Sequence, residues 1–464
     1  MVNEEMAAKP RNNKYPNPLA DMFAVEIEDA GIQMVPRNCR LSSYKPLDQI
    51  EESNDTTELV CFASPDSSYV VIKEALQTAK SEVFISIYDF TASYMEELLK
   101  DLSRRHVKVK LMIDYDRRAG EADLIERISK LKGAGVVIAP SCGNTNVKLF
   151  PSCHEKVIVI DKATVLVESC NWTENSVPKN PFEPNEDGSA VEDFATGNRE
   201  WGVWIKNQKI ARSFHDLLMQ DFGKGTVYGE DIEIQNIAED LYEAMVVRPP
   251  PKMFRRGTFR VSKLLPILTP DNYFQSVKTL ISEAKHSIYI QQQYVKPKSS
   301  HVRQLLGLTS SLKRENQNLD IRIIVSPKVF SAKQKKQLET DMDEIEDRFG
   351  LSIGDNIRYL NLNYFVHCHN KGILIDDEIS IIASQNWSET GIGEKGANRE
   401  AGVVIHDKHV NEYFSNIFKS DWDSATTTIS ITKVIKEGNI PATIETYGPR
   451  IQFTKINPGD YIEI

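Results

Sequence analysis

The sequence predicts an α/β protein built from two tandem α/β/α repeats, packed about a pseudo-two-fold axis with one site at their interface. Three observations predict this. From Leu59 onward, short apolar runs alternate with stretches of helical spacing, the pattern of strands separated by helices. The same order of runs returns in the second half, from residue 264. Finally, one set of polar residues occurs twice at identical internal spacing: His154, Lys156, Asp161, Ser169 and Asn171, then His369, Lys371, Asp376, Ser384 and Asn386. The sets close with Asn198-Arg199-Glu200 and Asn398-Arg399-Glu400. A repeat wider than its motif means that whole supersecondary units are duplicated. Two-fold packing of such units brings equivalent loops together at the axis.

Residues 1–58 carry Pro10, Pro16, Pro18, Pro36 and Pro46 and no sustained period, and read as a polar N-terminal extension. The first repeat is expected over 59–247. It begins with a strand at Leu59–Phe62, ended by Ser64-Pro65-Asp66, and a helix over Tyr69–Lys80. A strand at Val83–Tyr88, a helix over Tyr94–Leu102 and a strand at Val107–Ile113 follow. Residues 248–263 read as a proline- and arginine-rich linker, opening with Arg248-Pro249-Pro250-Pro251. The second repeat is expected over 264–425, with a helix over Tyr273–Ala284 and strands at Ile288–Tyr294 and Leu319–Val325. Lys333–Arg348 is a charged amphipathic helix. Residues 426–464 form a strand-rich tail with runs at Thr428–Val434 and Arg450–Phe453.

The 464 residues are 41% hydrophobic and 26% charged, a globular rather than disordered composition. No stretch is apolar enough to span a bilayer, and Met1–Pro18 has no apolar core of the secretory kind. Six cysteines without a pattern, Cys39, Cys61, Cys142, Cys153, Cys170 and Cys368, suit reduced thiols. The expectation is a cytoplasmic protein, with at most peripheral membrane association. A net charge of −10 argues against wholesale attraction to polyanions, although residues 248–263 interleave Arg248, Lys252, Arg255, Arg256, Arg260 and Lys263 with Phe254 and Phe259 and could track a nucleic-acid backbone or an anionic lipid surface.

Strand alternation puts His154 and Lys156 on one face, just ahead of the apolar run Val157–Ile160, as His369 and Lys371 lead into Gly372–Ile375. The next strands, Val165–Val167 and Ile379–Ala383, follow tight turns at Lys162-Ala163 and Asp377-Glu378 and deliver Ser169, Asn171, Ser384 and Asn386. Imidazole, ammonium and neutral donors converging on one point suit an anion with several oxygens. Two imidazoles can divide the labour, one attacking and one protonating the leaving oxygen. Glu200 and Glu400, each before an apolar strand, can orient a histidine through its Nδ1 proton.

This double H-x-K-x4-D grammar with Ser-x-Asn, over residues 59–425, resembles the phospholipase D superfamily, the HKD phosphodiesterases. The resemblance implies cleavage or transfer at a phosphodiester through a covalent phosphohistidine, with no metal and no cofactor. It implies His154 as nucleophile and His369 as general acid. Lys156, Lys371, Asn171, Asn386, Ser169 and Ser384 would bind phosphate, with Asp161 and Asp376 as supporting members of the catalytic set. Because one chain carries both half-sites, it is expected to work as a monomer.

The family usually has glycine before the motif serine; here Glu168 and Ala383 stand there. Glu168 adds a carboxyl beside a site meant for an anion. Residues 176–197 interrupt the gap from Asn171 to Asn198, which the second copy spans with about half as many residues, and could form a lid. Cys153-His154 and His367-Cys368-His369 offer metal-ligand types, but lysine two residues after each histidine is explained by phosphate. Trp172 and Trp387 could stack a base, though core packing is the better expectation. A phospholipid is the expected substrate. The alternatives are a metal-independent nuclease on DNA or RNA, favoured by the Asn-Trp-Thr and Asn-Trp-Ser flanks, and an inactive phosphate- or lipid-binding module.

Overall fold

The computed structural model describes residues 40–47, 50–114, 121–139, 147–227, 248–329 and 332–428. The first half runs β1 (Arg40–Leu41), β2 (Thr57–Ser64), α1 (Ser68–Gln77), β3 (Glu82–Ile87), α2 (Ser93–Arg104), β4 (Lys108–Ile113), α3 (Glu121–Ser129) and β5 (Ala134–Ile138). It continues through β6 (Val147–Lys148), β7 (Val157–Ile160), β8 (Thr164–Glu168), β9 (Glu200–Lys206), α4 (Gln208–Phe222) and β10 (Thr226–Val227). After β11 (Gly257–Val261), the second half runs β12 (Leu264–Thr269), α5 (Tyr273–Ser282), β13 (Ser287–Gln292), α6 (Ser300–Glu315), β14 (Asp320–Val325) and α7 (Ala332–Phe349). Then come β15 (Ile357–Leu360), β16 (Lys371–Ile375), β17 (Ile379–Ala383), α8 (Glu389–Ile392), β18 (Glu400–His406), α9 (Lys408–Ser424) and β19 (Thr426–Thr427).

The sheets show the duplication directly. One has the order β10-β5-β4-β3-β7-β8-β9-β2-β11, the other β19-β15-β14-β13-β16-β17-β18-β12. Position by position these are the same sheet, except that β11 adds an edge strand to the first by pairing antiparallel with β2. Part of the segment read as a linker is therefore sheet. In each half three strands run parallel (β3, β4 and β5; β13, β14 and β15), with helices making the crossovers that parallel strands require.

Both sheets are covered on two faces, which is why their central strands are apolar throughout. One core is shared between the halves. It contains Val157, Val167, Trp201 and Phe214 from the first and Tyr289, Ile382, Val403 and Phe414 from the second. Each half also has a private core under its outer helices, where Trp172 and Trp387 lie fully buried. Both tryptophans are thus core residues. Gly372 serves the close approach of the halves: a Cβ there would meet the Trp201 ring at 2.3 Å. The helix expected at 333–348 is α7, with Met342 and Ile345 buried against the second core.

Asp161 and Asp376 do not reach the site. Each begins a hairpin turn with two consecutive positive-φ residues, Asp161-Lys162 and Asp376-Asp377, one residue earlier than the sequence suggests. Asp161 accepts hydrogen bonds from the N–H groups of Lys80, Ser81 and Glu82 at 2.7–2.8 Å, and Asp376 does the same for Lys285, His286 and Ser287. Six residues of extended chain separate Asp161 from His154, roughly 20 Å. Burial raises the Asp161 pKa, but the Ser81 hydroxyl and these N–H groups outweigh it and hold the carboxyl below its ordinary value. Asp161→Ala is expected to cost about 1–3 kcal/mol of stability in urea unfolding while activity persists. The deficit should be full above the unfolded pKa, near ~4, and vanish as pH falls through the depressed folded value.

Cys61, Cys153, Cys170 and Cys368 are buried free thiols, while Cys39 and Cys142 lie outside the described residues, as do residues 429–464, which hold most of the expected strand-rich tail. Among the described residues no helix is long and apolar enough to cross a membrane. Part of the expected extension is tied down: Tyr44 Oη and Leu47 N donate to Asp271, at 3.0 and 2.7 Å.

Candidate active site

The two H-x-K segments meet at the junction of the halves, and each is held by the other half. His154 N donates to Arg399 O and Arg399 N to Ser152 O, while His369 N donates to Arg199 O and Arg199 N to His367 O. His154 and Lys156 therefore lie ahead of β7 rather than on it, in an extended segment that borrows its hydrogen bonds from the partner half. The side chains cross in the same way. His154 Nδ1 lies 2.9 Å from Glu400 Oε2, and His369 Nδ1 lies 2.8 Å from Glu200 Oε2. Each carboxylate holds Nδ1 of the opposite half's imidazole and so orients the ring.

Two arginines lock this crossing. Arg199 pairs with Asp66 of its own half and Asp421 of the other, at 3.0 and 2.9 Å. Arg399 pairs with Asp221 across the junction and with Asp271, at 2.8 and 2.7 Å. Both are buried, where an ion pair holds geometry more than it adds net stability.

Lys156 and Lys371 are fully buried, and each curls back so that Nζ donates to the carbonyl of the histidine two residues earlier, at 2.5 and 2.6 Å. Burial pushes Lys371 down to about 7 against the pull of Glu200, and lowers Lys156 too. It pushes Glu200 and Glu400 up to about 8. Protons can thus move within this network near neutral pH.

A family model described as cardiolipin synthase, PLD-like domain, matches residues 72–222 and 277–422. The chain belongs to this phospholipase D-like family. It is similar to the phospholipase D of Rickettsia bellii (strain RML369-C), 25% identical over 162 residues, covering 35% of this chain and 73% of that one. The phospholipase D of Rickettsia prowazekii (strain Madrid E) is 22% identical over 174 residues, 37% of this chain and 77% of that one. In fold it resembles the phosphatidylserine synthase of Haemophilus influenzae Rd KW20, with a TM-score of 0.53 and 14% identity, covering 81% of this chain and 89% of that one.

Within this phospholipase D-like frame the other expected residues divide. Asn171 Nδ2 donates to Asp89 at 3.0 Å. Asn171 Oδ1 and Asn386 Oδ1 are buried without a hydrogen-bond partner. The serines are turned to structural work. Ser169 Oγ lies 3.4 Å from Trp201 O and accepts from Trp201 N. Ser384 Oγ donates to Glu400 at 2.5 Å and accepts from Ala401 N.

Glu168 stands opposite Lys156 on the adjacent strand, its N–H donating to Lys156 O, so the two share a face. In the same register Ala383 stands opposite Lys371. Glu168 is fully buried, and burial and then Glu200 hold its carboxyl well above the carboxylate range. Held there, the carboxyl resists taking on the negative charge that its place beside an anion site would otherwise bring.

Several positioning residues were not legible in the motif. The Tyr88 ring packs against His154 at 4.7 Å, with Lys156 Nζ 5.2 Å from its centre; Gln293 takes the equivalent place and accepts from Lys371 at 3.3 Å. Asp114 accepts from Ser152 Oγ and Cys153 N, at 2.7 Å each. The insertion at 176–197 begins at the site: Ser176 Oγ accepts from Asn198, which also donates to Glu200. It is fastened farther out, where Gly188 O accepts from Met253 N and Glu183 pairs with Arg255 and Arg256. Cys153 and Cys368 are core residues.

Proposed function

We propose that the protein is a metal-independent phosphodiesterase that hydrolyses or transfers the headgroup of a phospholipid through a covalent phosphohistidine. The observation that carries this reading is the crossed arrangement of His154–Glu400 and His369–Glu200 above two buried lysines. Lys156, Lys371, Asn171 and Asn386 would hold the phosphoryl oxygens. One imidazole Nε2 attacks phosphorus, and the leaving oxygen takes the proton from Nε2 of the other. That second imidazole then removes a proton from water or an acceptor alcohol, whose oxygen displaces the histidine.

The family resemblance gives the attack to His154 and the proton to His369. Burial, followed by Lys371, His367, Lys156 and His154, holds the His369 imidazole well below its ordinary range; a nucleophile must be neutral, so His369 also suits the attacking role. Rapid quenching with a labelled diester, followed by peptide mapping, reads the order from which histidine carries the label.

A lipid is favoured over nucleic acid for two reasons. The names of the matching family and of the similar proteins refer to phospholipid enzymes. Half of the basic residues that would track a polyanion are also spoken for: Arg255 pairs with Glu183 and Glu186, Arg256 with Glu74 and Glu183, and Lys263 with Glu52. The test is to incubate the protein side by side with mixed phospholipid vesicles and with single- and double-stranded nucleic acid, using His369→Ala as control. Cleavage of nucleic acid alone selects the nuclease. No turnover of any diester, bis(p-nitrophenyl) phosphate included, leaves a binding module. Chelators are expected to leave activity intact and vanadate to inhibit; strict dependence on an added divalent metal would sink the mechanism.

A further inference from the structure

The two flanks of the cleft are electrically unlike although their backbones match. On the first half, Asp114 follows β4 and accepts from Ser152, which lies two residues before His154. At the equivalent places on the second half, Ser326 follows β14 and His367 lies two residues before His369. Their Oγ and Nδ1 atoms are 2.5 Å apart. The same substitution of character recurs nearby. Asp89 and Glu155 of the first half have Tyr294 and Asn370 as counterparts.

The second flank also carries a cation. The backbone N–H of Lys328 donates to Ser326 Oγ at 3.3 Å. With one lone pair so engaged, the hydroxyl is placed to give its own proton to His367 Nδ1, and in that tautomer the ring proton sits on Nε2 as a donor. The His367 ring lies 5.9 Å from that of His369. Burial pushes Lys328 down to about 8, so its ammonium persists at neutral pH. Burial and the charges of Lys328 and Lys371 keep His367 neutral. A neutral N–H donor and an ammonium beside the catalytic pair suit an anion with several oxygens.

We propose that Ser326, His367 and Lys328 form an anion subsite that binds a second phosphate in the substrate headgroup, and so fixes which way the substrate lies across the two half-sites. This rests on the phosphodiesterase reading. The first flank offers that group Asp114 and Asp89 in place of a cation, while burial pushes the Glu155 carboxyl up to about 8; the difference makes the orientation one-sided.

Two chromogenic diesters test it: p-nitrophenyl phosphoglycerol and its derivative with a terminal phosphomonoester. The wild type is expected to prefer the phosphorylated compound by about tenfold in kcat/KM, the scale of one charge-assisted hydrogen bond, with the difference carried in KM. Lys328→Gln and His367→Ala should bring the ratio between the two substrates close to one, while Lys328→Arg keeps it and controls for folding. A wild-type ratio near one, or a ratio unchanged in Lys328→Gln, overturns the subsite. If neither diester is turned over, the phosphodiesterase reading fails and calorimetry decides the subsite separately. Glycerol bisphosphate binding about tenfold tighter than glycerol phosphate, with loss of that margin in Lys328→Gln, upholds it; equal affinities overturn it.

Discussion

Replacing His369 with alanine is expected to lower kcat on a phosphodiester by roughly four orders of magnitude or more, and His154→Ala by a similar factor. The double variant should cost little beyond either single one, because attack and leaving-group protonation belong to one event. Glu200→Gln and Glu400→Gln should give smaller losses, since each still hydrogen-bonds the imidazole 2.8–2.9 Å away but no longer supports its positive form. The wild-type pH profile is expected to be bell-shaped with both limbs near neutrality. Burial brings Lys371 down to about 7 and Glu200 and Glu400 up to about 8, and the apparent values will belong to the coupled network rather than to any one residue. A double variant whose loss equals the product of the two single losses would show that the histidines act independently.

The largest expected effect on stability is that of Arg199→Ala. The guanidinium is fully buried between Asp66 and Asp421, and its plane lies 4.3 Å from the Phe365 ring. Truncation leaves two buried carboxylates from opposite halves facing each other, at a cost of about 3–5 kcal/mol. Burial already raises the Asp421 pKa to about 6 despite Arg199. The deficit in urea unfolding should therefore be greatest above pH 6 and shrink as Asp421 takes up its proton below it. Arg199→Ala combined with Asp66→Asn and Asp421→Asn should recover part of the loss. A deficit that is the same at pH 5 and pH 8 would remove the charge explanation and leave only lost packing.

Much of the architecture was legible because strands buried on both faces are written as plain apolar runs. The runs at Val83–Tyr88, Val157–Ile160 and Ile379–Ala383 appear as β3, β7 and β17 within about a residue at each end. The short edge strand β11 was hidden because Gly257–Val261 sits among arginines and prolines and gains its partner, β2, only through the fold. Asp161 and Asp376 misled for a related reason. A residue repeated at fixed spacing looks catalytic, yet these repeat because both hairpins need the same turn and the same N–H acceptor.

The sequence by itself determined that there are two equivalent half-sites, which residue types they contain, and that phosphate suits them. Those properties follow from local spacing. Only the tertiary structure decided that Glu200 serves His369 and Glu400 serves His154, that burial holds the Glu168 carboxyl well above the carboxylate range, and that the second flank carries His367 and Lys328 where the first carries acid. Each of these depends on which side chains meet across the junction and on how far water is excluded there. Neither is encoded in the spacing of any single stretch of chain.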